Sequence, residues 1–150
     1  SSKEMQLAVK LELKKKFDIV IMAAAVADYV PTIQNKNKIK SSKSSMTISL
    51  KKAPKIIDQI KKYQKNVLLV GFKAETNLTN TQLIKSAKKK LKESSADMII
   101  ANDIGSIRYK KNPQKNQVII VYSNKNIVSR WMDKEKIAKF IRKQIEVKIK

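Results

Sequence analysis

The chain has 150 residues, the size of one domain with one core, and its 42% hydrophobic content suits a folded protein rather than a disordered one. Cysteine and histidine are both absent, which excludes disulfides, thiolate metal sites, a thiol nucleophile and the commonest general base. The net charge is +22, but only Arg108, Arg130 and Arg142 are arginines, so the excess reads chiefly as a solvated lysine surface and not as an arginine-rich base-reading interface.

In chain order, Ser1 and Glu4 have the spacing of a helix capping box. Met5, Ala8, Val9 and Leu13 then form an apolar stripe, closed by Lys14–Lys16, where cations suit a helix C-terminus. Leu7 and Leu11 fall off that stripe, which predicts a helix covered on more than one side. Ile19–Ala25 reads as an uninterrupted apolar strand, the pattern of a sheet covered on both faces and usually parallel. Residues 32–45 are polar and lysine-rich, as expected of a loop, and Met46–Leu50 alternates like a strand. Pro54 suits the first turn of a helix carrying Ile56, Ile57, Ile60 and Tyr63.

Val67–Phe72 is a further buried strand, and Leu83, Ile84, Ala87 and Leu91 mark the next helix stripe. Ala96–Ala101 and Gln117–Tyr122 read as two more strands, with a final helix on Ile137, Phe140, Ile141 and Ile145. Strands alternating with helices predict an α/β domain with right-handed crossovers over residues 1–150, without internal repeats. No apolar run reaches bilayer-spanning length and no signal-peptide pattern opens the chain, so a soluble cytoplasmic protein is expected.

In an open α/β sheet, ligands bind at the carboxyl ends of the strands. Three such ends carry polar residues: Asp28, then Glu75 and Thr76, then Asn102 and Asp103. Each has a bland alternative, since Asp28 and Asn102 suit turns and Glu75 suits the start of a loop. Lys36, Lys38 and Lys40 follow Asp28 in a loop that could close over a polyphosphate, or could simply be solvated. Only Gly71 and Gly105 exist, and neither lies in a phosphate-cradling turn. The chain also opens on a helix, so its first strand and a glycine-rich loop are expected to be missing from it.

The motifs "AAAVADYVP", "KIK", "VGFKAET" and "KKKL…ADMIIAND", in this order and spacing, resemble the phosphopantothenate–cysteine ligase family, the C-terminal domain of the coenzyme A biosynthesis (DNA/pantothenate metabolism) flavoprotein. The resemblance runs from "SSKEM" through "NQVII", and "APKII" is closer to the archaeal branch than to the bacterial one. It implies a three-layer Rossmann-like α/β domain with a mostly parallel sheet, paired as a homodimer.

It implies CTP-dependent joining of 4′-phosphopantothenate to L-cysteine through an acyl-cytidylate, with Mg2+. FMN would belong only to a fused upstream flavin-dependent decarboxylase domain. By motif, Met22, Ala23, Ala24, Asp28, Pro54, Lys55, Ile56, Ile57, Phe72 and Lys90 fall on nucleotide-binding positions, with Asp28 also the metal contact. Lys38 falls on the catalytic loop lysine, which also contacts the triphosphate. The family's second helix lysine falls on Ser94, with Lys92 a substitute within reach. "GSIRYKKN" replaces the bacterial glycine–phenylalanine signature. The glycine-rich loop and an asparagine-bearing segment of the family fall before Ser1, so part of the phosphate and acyl-cytidylate site is expected to lie outside this chain.

The competing expectation is a basic α/β module that binds nucleic acid through its lysines. It leaves the strand-end Asp28, Glu75 and Asn102 unexplained and offers few aromatic residues for stacking, so neither nucleic acid nor a membrane is the expected partner.

Overall fold

The computed structural model describes residues 1–33, 37–38 and 44–149. Helix α1 spans Ser2–Glu12 and opens on the expected capping box, with Ser1 and Glu4 satisfying each other's backbone. A short 3-10 turn, Leu13–Lys15, buries Leu13 under the sheet. Leu7 and Leu11 stay half exposed, so α1 is covered on one side, contrary to expectation.

Strand β1 is shorter than its apolar run. It covers Ile19–Met22, and Ala23–Ala25 leave the sheet. Among the described residues β1 is an edge strand hydrogen-bonded on one side, and Ile21 is half exposed rather than buried. Next comes an element the alternation pattern did not reveal. Strand β2, Tyr29–Pro31, pairs antiparallel with β3, Leu50–Lys52, in a two-stranded arm. The expected Met46–Leu50 strand is therefore displaced towards the C-terminus, because its pairing is set by β2 and not by hydrophobic alternation. Thr32 extends the pairing, donating from its backbone and hydroxyl to the Ser49 carbonyl at 2.9 and 2.8 Å.

Helix α2 spans Ile57–Tyr63 and begins three residues after Pro54, which stands in an extended lead-in rather than in the first turn. Strand β4, Leu68–Glu75, runs further than Val67–Phe72 and takes in Glu75. Helix α3, Asn80–Ser94, has a Thr79–Gln82 capping box and stops where Ser95 turns left-handed at φ 54°. Strand β5, Met98–Asp103, likewise absorbs Asn102 and Asp103. A short helix α4, Ile107–Lys111, and a small pair of strands, β6 at Lys115–Asn116 and β9 at Met132–Asp133, were not expected from the sequence. The expected Gln117–Tyr122 strand narrows to β7, Ile119–Val121, and turns back as a hairpin into β8, Asn126–Val128. Helix α5, Lys134–Ile149, buries Ile137, Ile141 and Ile145.

The main sheet has the order β1-β4-β5-β7-β8. β1, β4 and β5 are parallel, β7 opposes them, and β8 opposes β7, so four of the five strands run in one sense. Side-chain parity splits the core into two layers. Leu69, Ile99, Ala101, Ile119 and Val121 face Leu13, Ile60, Leu83 and Ala87 from the first three helical segments. Val70, Met98, Ile100 and Ile120 face α5. The result is the expected three-layer α/β arrangement. No helix among the described residues is long and apolar enough to cross a membrane.

Asp97 anchors the amino edge of the sheet. Its carboxylate accepts from the Leu69 backbone and pairs with Lys61, both at 2.8 Å. At the carboxyl edge, Asp103 accepts from the backbones of Asn77 (2.9 Å) and Gly105 (2.8 Å), tying together the turns after β4 and β5. A Cβ at Gly105 would stand 2.6 Å from the Asn77 nitrogen and 2.8 Å from the Thr76 Cα. A Cβ at Gly71 would meet only the flexible Cδ1 atoms of Ile57 and Ile99. Gly105→Ala is therefore expected to destabilise the protein by about 1–3 kcal/mol, and Gly71→Ala by less. Urea midpoints of the two variants measure this, and equal losses would contradict the close backbone approach at Gly105.

Candidate functional site

The crevice begins where β1 ends. Met22 opposite Gly71 is the last pair of the β1–β4 ladder, while β4 runs on through Phe72, Lys73 and Ala74 with no partner on that side among the described residues. The chain after Met22 peels away as Ala23–Asp28 and enters the arm. The arm returns it at Ala53, whose N–H donates to the Asp28 carbonyl at 2.8 Å. Pro54–Ile57 then close the third side. The cavity left between these segments has a volume of about 320 Å3 and is lined by Met22–Asp28, Ala53–Ile57, Phe72–Ala74 and Lys90. That is the size of a small-molecule site, placed at the carboxyl ends of parallel strands.

Six of the lining residues are alanines, which lets a ligand approach the backbone closely. Phe72 offers an aromatic face, 38% exposed although it lies in a central strand. Among the described residues Asp28 is the one carboxylate in the lining, and Lys55, Lys73 and Lys90 are the cations. Two of these lysines are held. Lys90 Nζ lies 2.8 Å from Asp58 Oδ1, with the two side chains only 13% and 26% exposed. Lys73 Nζ lies 3.1 Å from Glu75 Oε1, and that same oxygen accepts from the Ser86 hydroxyl at 2.6 Å. The Ser86 hydroxyl, followed by Lys73, holds the Glu75 carboxyl below the usual glutamate range.

Among the described residues no three acidic side chains gather as a metal cage. A single carboxylate beside lysines suits Mg2+ brought on phosphate oxygens, which needs only one or two protein carboxylates. The residues present therefore fit that ion at Asp28.

Residues 1–148 match the family model for the DNA/pantothenate metabolism flavoprotein C-terminal domain (DFP). The chain belongs to this family. It is 39% identical over 120 residues to the coenzyme A biosynthesis bifunctional protein CoaBC of Thermococcus kodakarensis, covering 79% of this chain and 28% of that protein. It is also 39% identical over 135 residues to the CoaBC of Borreliella burgdorferi, covering 89% and 33%. The chain thus spans about a third or less of the length of these relatives.

Among solved structures, the DNA/pantothenate metabolism flavoprotein from Streptococcus pneumoniae superposes with a TM-score of 0.82 at 27% identity, covering 97% of this chain and 69% of that one. The C-terminal domain of a coenzyme A biosynthesis bifunctional protein CoaBC superposes at 0.73 with 30% identity, covering 99% and 63%.

Within this DFP-family domain, the structure brings together Met22, Ala23, Ala24, Asp28, Pro54, Lys55, Ile56, Ile57, Phe72 and Lys90 around one cavity. Lys38 is exposed and does not line it, and Lys36 and Lys40 lie outside the described residues. Glu75 stands opposite Asp103 at the carboxyl edge of the sheet, as expected, but the polar strand ends do not share the cavity. Asp28 reaches the cavity, but Glu75 and Asp103 are engaged with Ser86, Lys73 and the neighbouring turns, and Asn102 is not in the lining. These residues end the longer strands, beyond the step where the cavity opens. Ser94 is buried and its hydroxyl donates to the Lys90 carbonyl at 2.7 Å, so it presents nothing to a ligand; Lys92 is exposed and lies away from the cavity. Lys73 and Asp58 were missed. Parity along "VGFKAE" was the available signal, because it puts Lys73 on the same side of the sheet as α2 and α3.

Folding holds the Glu75 pKa below its ordinary value and so favours the carboxylate, whose contribution to stability is complete at neutral pH. That contribution is lost as the pH falls through the ordinary glutamate value and on through the lower folded one. Glu75→Gln is expected to lower the urea midpoint at neutral pH and to flatten its decline as the pH falls through and below the ordinary glutamate value. Parallel acid limbs in the two proteins would show that the carboxylate carries no such linkage.

Proposed function

We propose that this domain catalyses the CTP-dependent ligation of 4′-phosphopantothenate to L-cysteine in coenzyme A biosynthesis. The observation that carries the reading is the cavity at the β1–β4 step. It gathers an alanine-rich backbone wall, an aromatic face, one carboxylate and three lysines from four separate segments of the chain. The names of the relatives, coenzyme A biosynthesis bifunctional proteins, point the same way.

In this reading the base of CTP lies against Phe72, and the backbone of Met22–Ala24 and Pro54–Ile57 holds the nucleoside. Lys90, fixed by Asp58, meets the phosphates. A carboxylate oxygen of 4′-phosphopantothenate attacks the α-phosphorus, and the bond to the β-phosphate oxygen breaks, giving an acyl-cytidylate and pyrophosphate. The amine of cysteine then attacks the acyl carbonyl; CMP leaves with the electron pair of the acyl–oxygen bond, and the amine gives up a proton. Both steps depend on positioning and on neutralising charge that develops on phosphate oxygens, which lysines supply without histidine or cysteine. Mg2+, held at Asp28, would add neutralisation of the phosphate chain when bound. Lys38 acts from the segment following the arm's first strand as the catalytic lysine on the triphosphate.

The active form in this reading is a cytoplasmic homodimer. Tyr29, Ile33, Met46, Ile48 and Leu50 are all more than half exposed on or beside the β2–β3 arm, an apolar surface suited to a second copy of the chain. FMN would serve a decarboxylase unit fused to this domain and has no role in the cavity described here.

The test is pyrophosphate release by the complete protein. It should require CTP, Mg2+ and 4′-phosphopantothenate together, and CTP turnover indifferent to the pantothenate substrate would defeat the proposal. Lys38→Gln is expected to lower kcat by on the order of a hundredfold or more while the thermal midpoint stays put, as for loss of one transition-state charge partner. A normal kcat in that variant would remove Lys38 from the mechanism.

A further inference from the structure

Two of the cavity's lysines come from the same side of the sheet. Along β4, Leu69 packs under α1–α3 and Val70 packs under α5, so Gly71, Lys73 and Glu75 share the side of Leu69. The neighbours agree: a Cβ on Gly71 would touch Ile57 of α2, and Glu75 reaches Ser86 of α3. Lys73, between them, projects into the gap between α2 and α3, and Lys90 enters that gap from α3, held by Asp58 of α2.

The family resemblance implies a second lysine one turn beyond Lys90, but Ser94 occupies that position, with its hydroxyl turned onto the Lys90 carbonyl. Lys92 is exposed on the outer face of α3 and does not line the cavity. The second charge on this wall therefore comes from the sheet and not from α3.

We infer that Lys73 is a phosphate-contacting residue of the nucleotide site, taking the place of a second helix lysine, with Glu75 and Ser86 as its positioning residues. The inference rests on the nucleotide-dependent reading above. An ammonium group has three donors. One serves Glu75 at 3.1 Å, and the other two remain for phosphate oxygens, so ligand binding need not break the pair. The hydrogen bond from Ser86 fixes Glu75, and Glu75 restricts the lysine's rotamers before the ligand arrives.

The experiment compares Lys73→Met, Lys73→Arg and Lys92→Met in the complete protein. Lys73→Met is expected to raise the KM for CTP on the order of tenfold, the size of one lost hydrogen bond to a charged group. The inhibition constant of cytidine, which has no phosphates, should not change, and Lys73→Arg should retain most of the CTP affinity. Tripolyphosphate binding, measured by calorimetry, should weaken by a similar factor in Lys73→Met. Equal weakening of cytidine and CTP would reveal a merely structural role and overturn the proposal, as would a loss in Lys92→Met instead of Lys73→Met. If the wild type shows no CTP-dependent turnover, the ligase reading fails, and the Lys73 contact is then judged on tripolyphosphate alone; unchanged affinity there overturns it. If Lys73→Met does not fold, Lys73→Gln under the same comparison decides.

Discussion

The site depends on unequal strand lengths in a fixed parallel register. Pairing Ile19 with Leu68 and Val70 with Met98 aligns β1, β4 and β5, but β1 stops at Met22 while β4 continues to Glu75 beside β5. The step exposes Phe72–Ala74 along one flank, and the departing chain cannot rejoin the sheet because Tyr29–Pro31 is already paired with Leu50–Lys52. The arm does more than divert the chain. The bond from Ala53 to the Asp28 carbonyl sets where Pro54–Ile57 return, and so fixes the width of the crevice. A one-residue slip of β1 against β4 would exchange the faces of every side chain on it. Val20 and Met22, which pack on the α1–α3 side, would then turn out of that layer, so the core and the cavity share one register.

Electrostatics follow from that geometry. A chain of net charge +22 has no shortage of cations, but a free lysine on a flexible stem loses conformational entropy on meeting a ligand. Within the cavity, two of the three lysines are tied to carboxylates on the same side of the sheet, Lys90 to Asp58 and Lys73 to Glu75. Asp58 and Lys90 are largely removed from water, so removing either would leave an uncompensated charge in the gap between α2 and α3. Ion pairs such as Lys139–Glu135 and Arg142–Glu146 join more exposed partners within one helix and hold nothing of the site.

Much of this was legible in the residues. The apolar stripes of α3 and α5 and the central strands β4 and β5 followed from periodicity, because there hydrophobic burial alone decides the structure; the three-layer arrangement was what the resemblance implied. The arm was not legible. Tyr29–Pro31 and Leu50–Lys52 are short and exposed, and their pairing is a long-range backbone match with little side-chain signature. The end of β1 was misjudged for a related reason: Ala23–Ala25 are apolar enough to continue a strand, but they line a cavity rather than a core. The site was legible mainly through motif resemblance. Polarity at strand ends led to Asp28, which lines the cavity, and to Glu75 and Asp103, which do not: Glu75 is bonded to Ser86 and paired with the lining Lys73, and Asp103 closes turns.

The chain's two glycines give the lysine pairs their meaning. A glycine-rich turn holds phosphate with backbone N–H groups that are rigid and already in place. Here Gly71 is used to fit α2 against β4 and Gly105 to seat one turn on another, so neither serves a ligand. Anion binding from this wall must then come from side chains, and a lysine becomes comparably pre-placed only if something fixes its ammonium. Asp58 does this for Lys90. The Ser86–Glu75 hydrogen bond does it for Lys73, at the cost of partly neutralising the charge being offered. That trade suits a ligand carrying several negative charges better than one carrying a single charge, because only the former draws on both lysines at once.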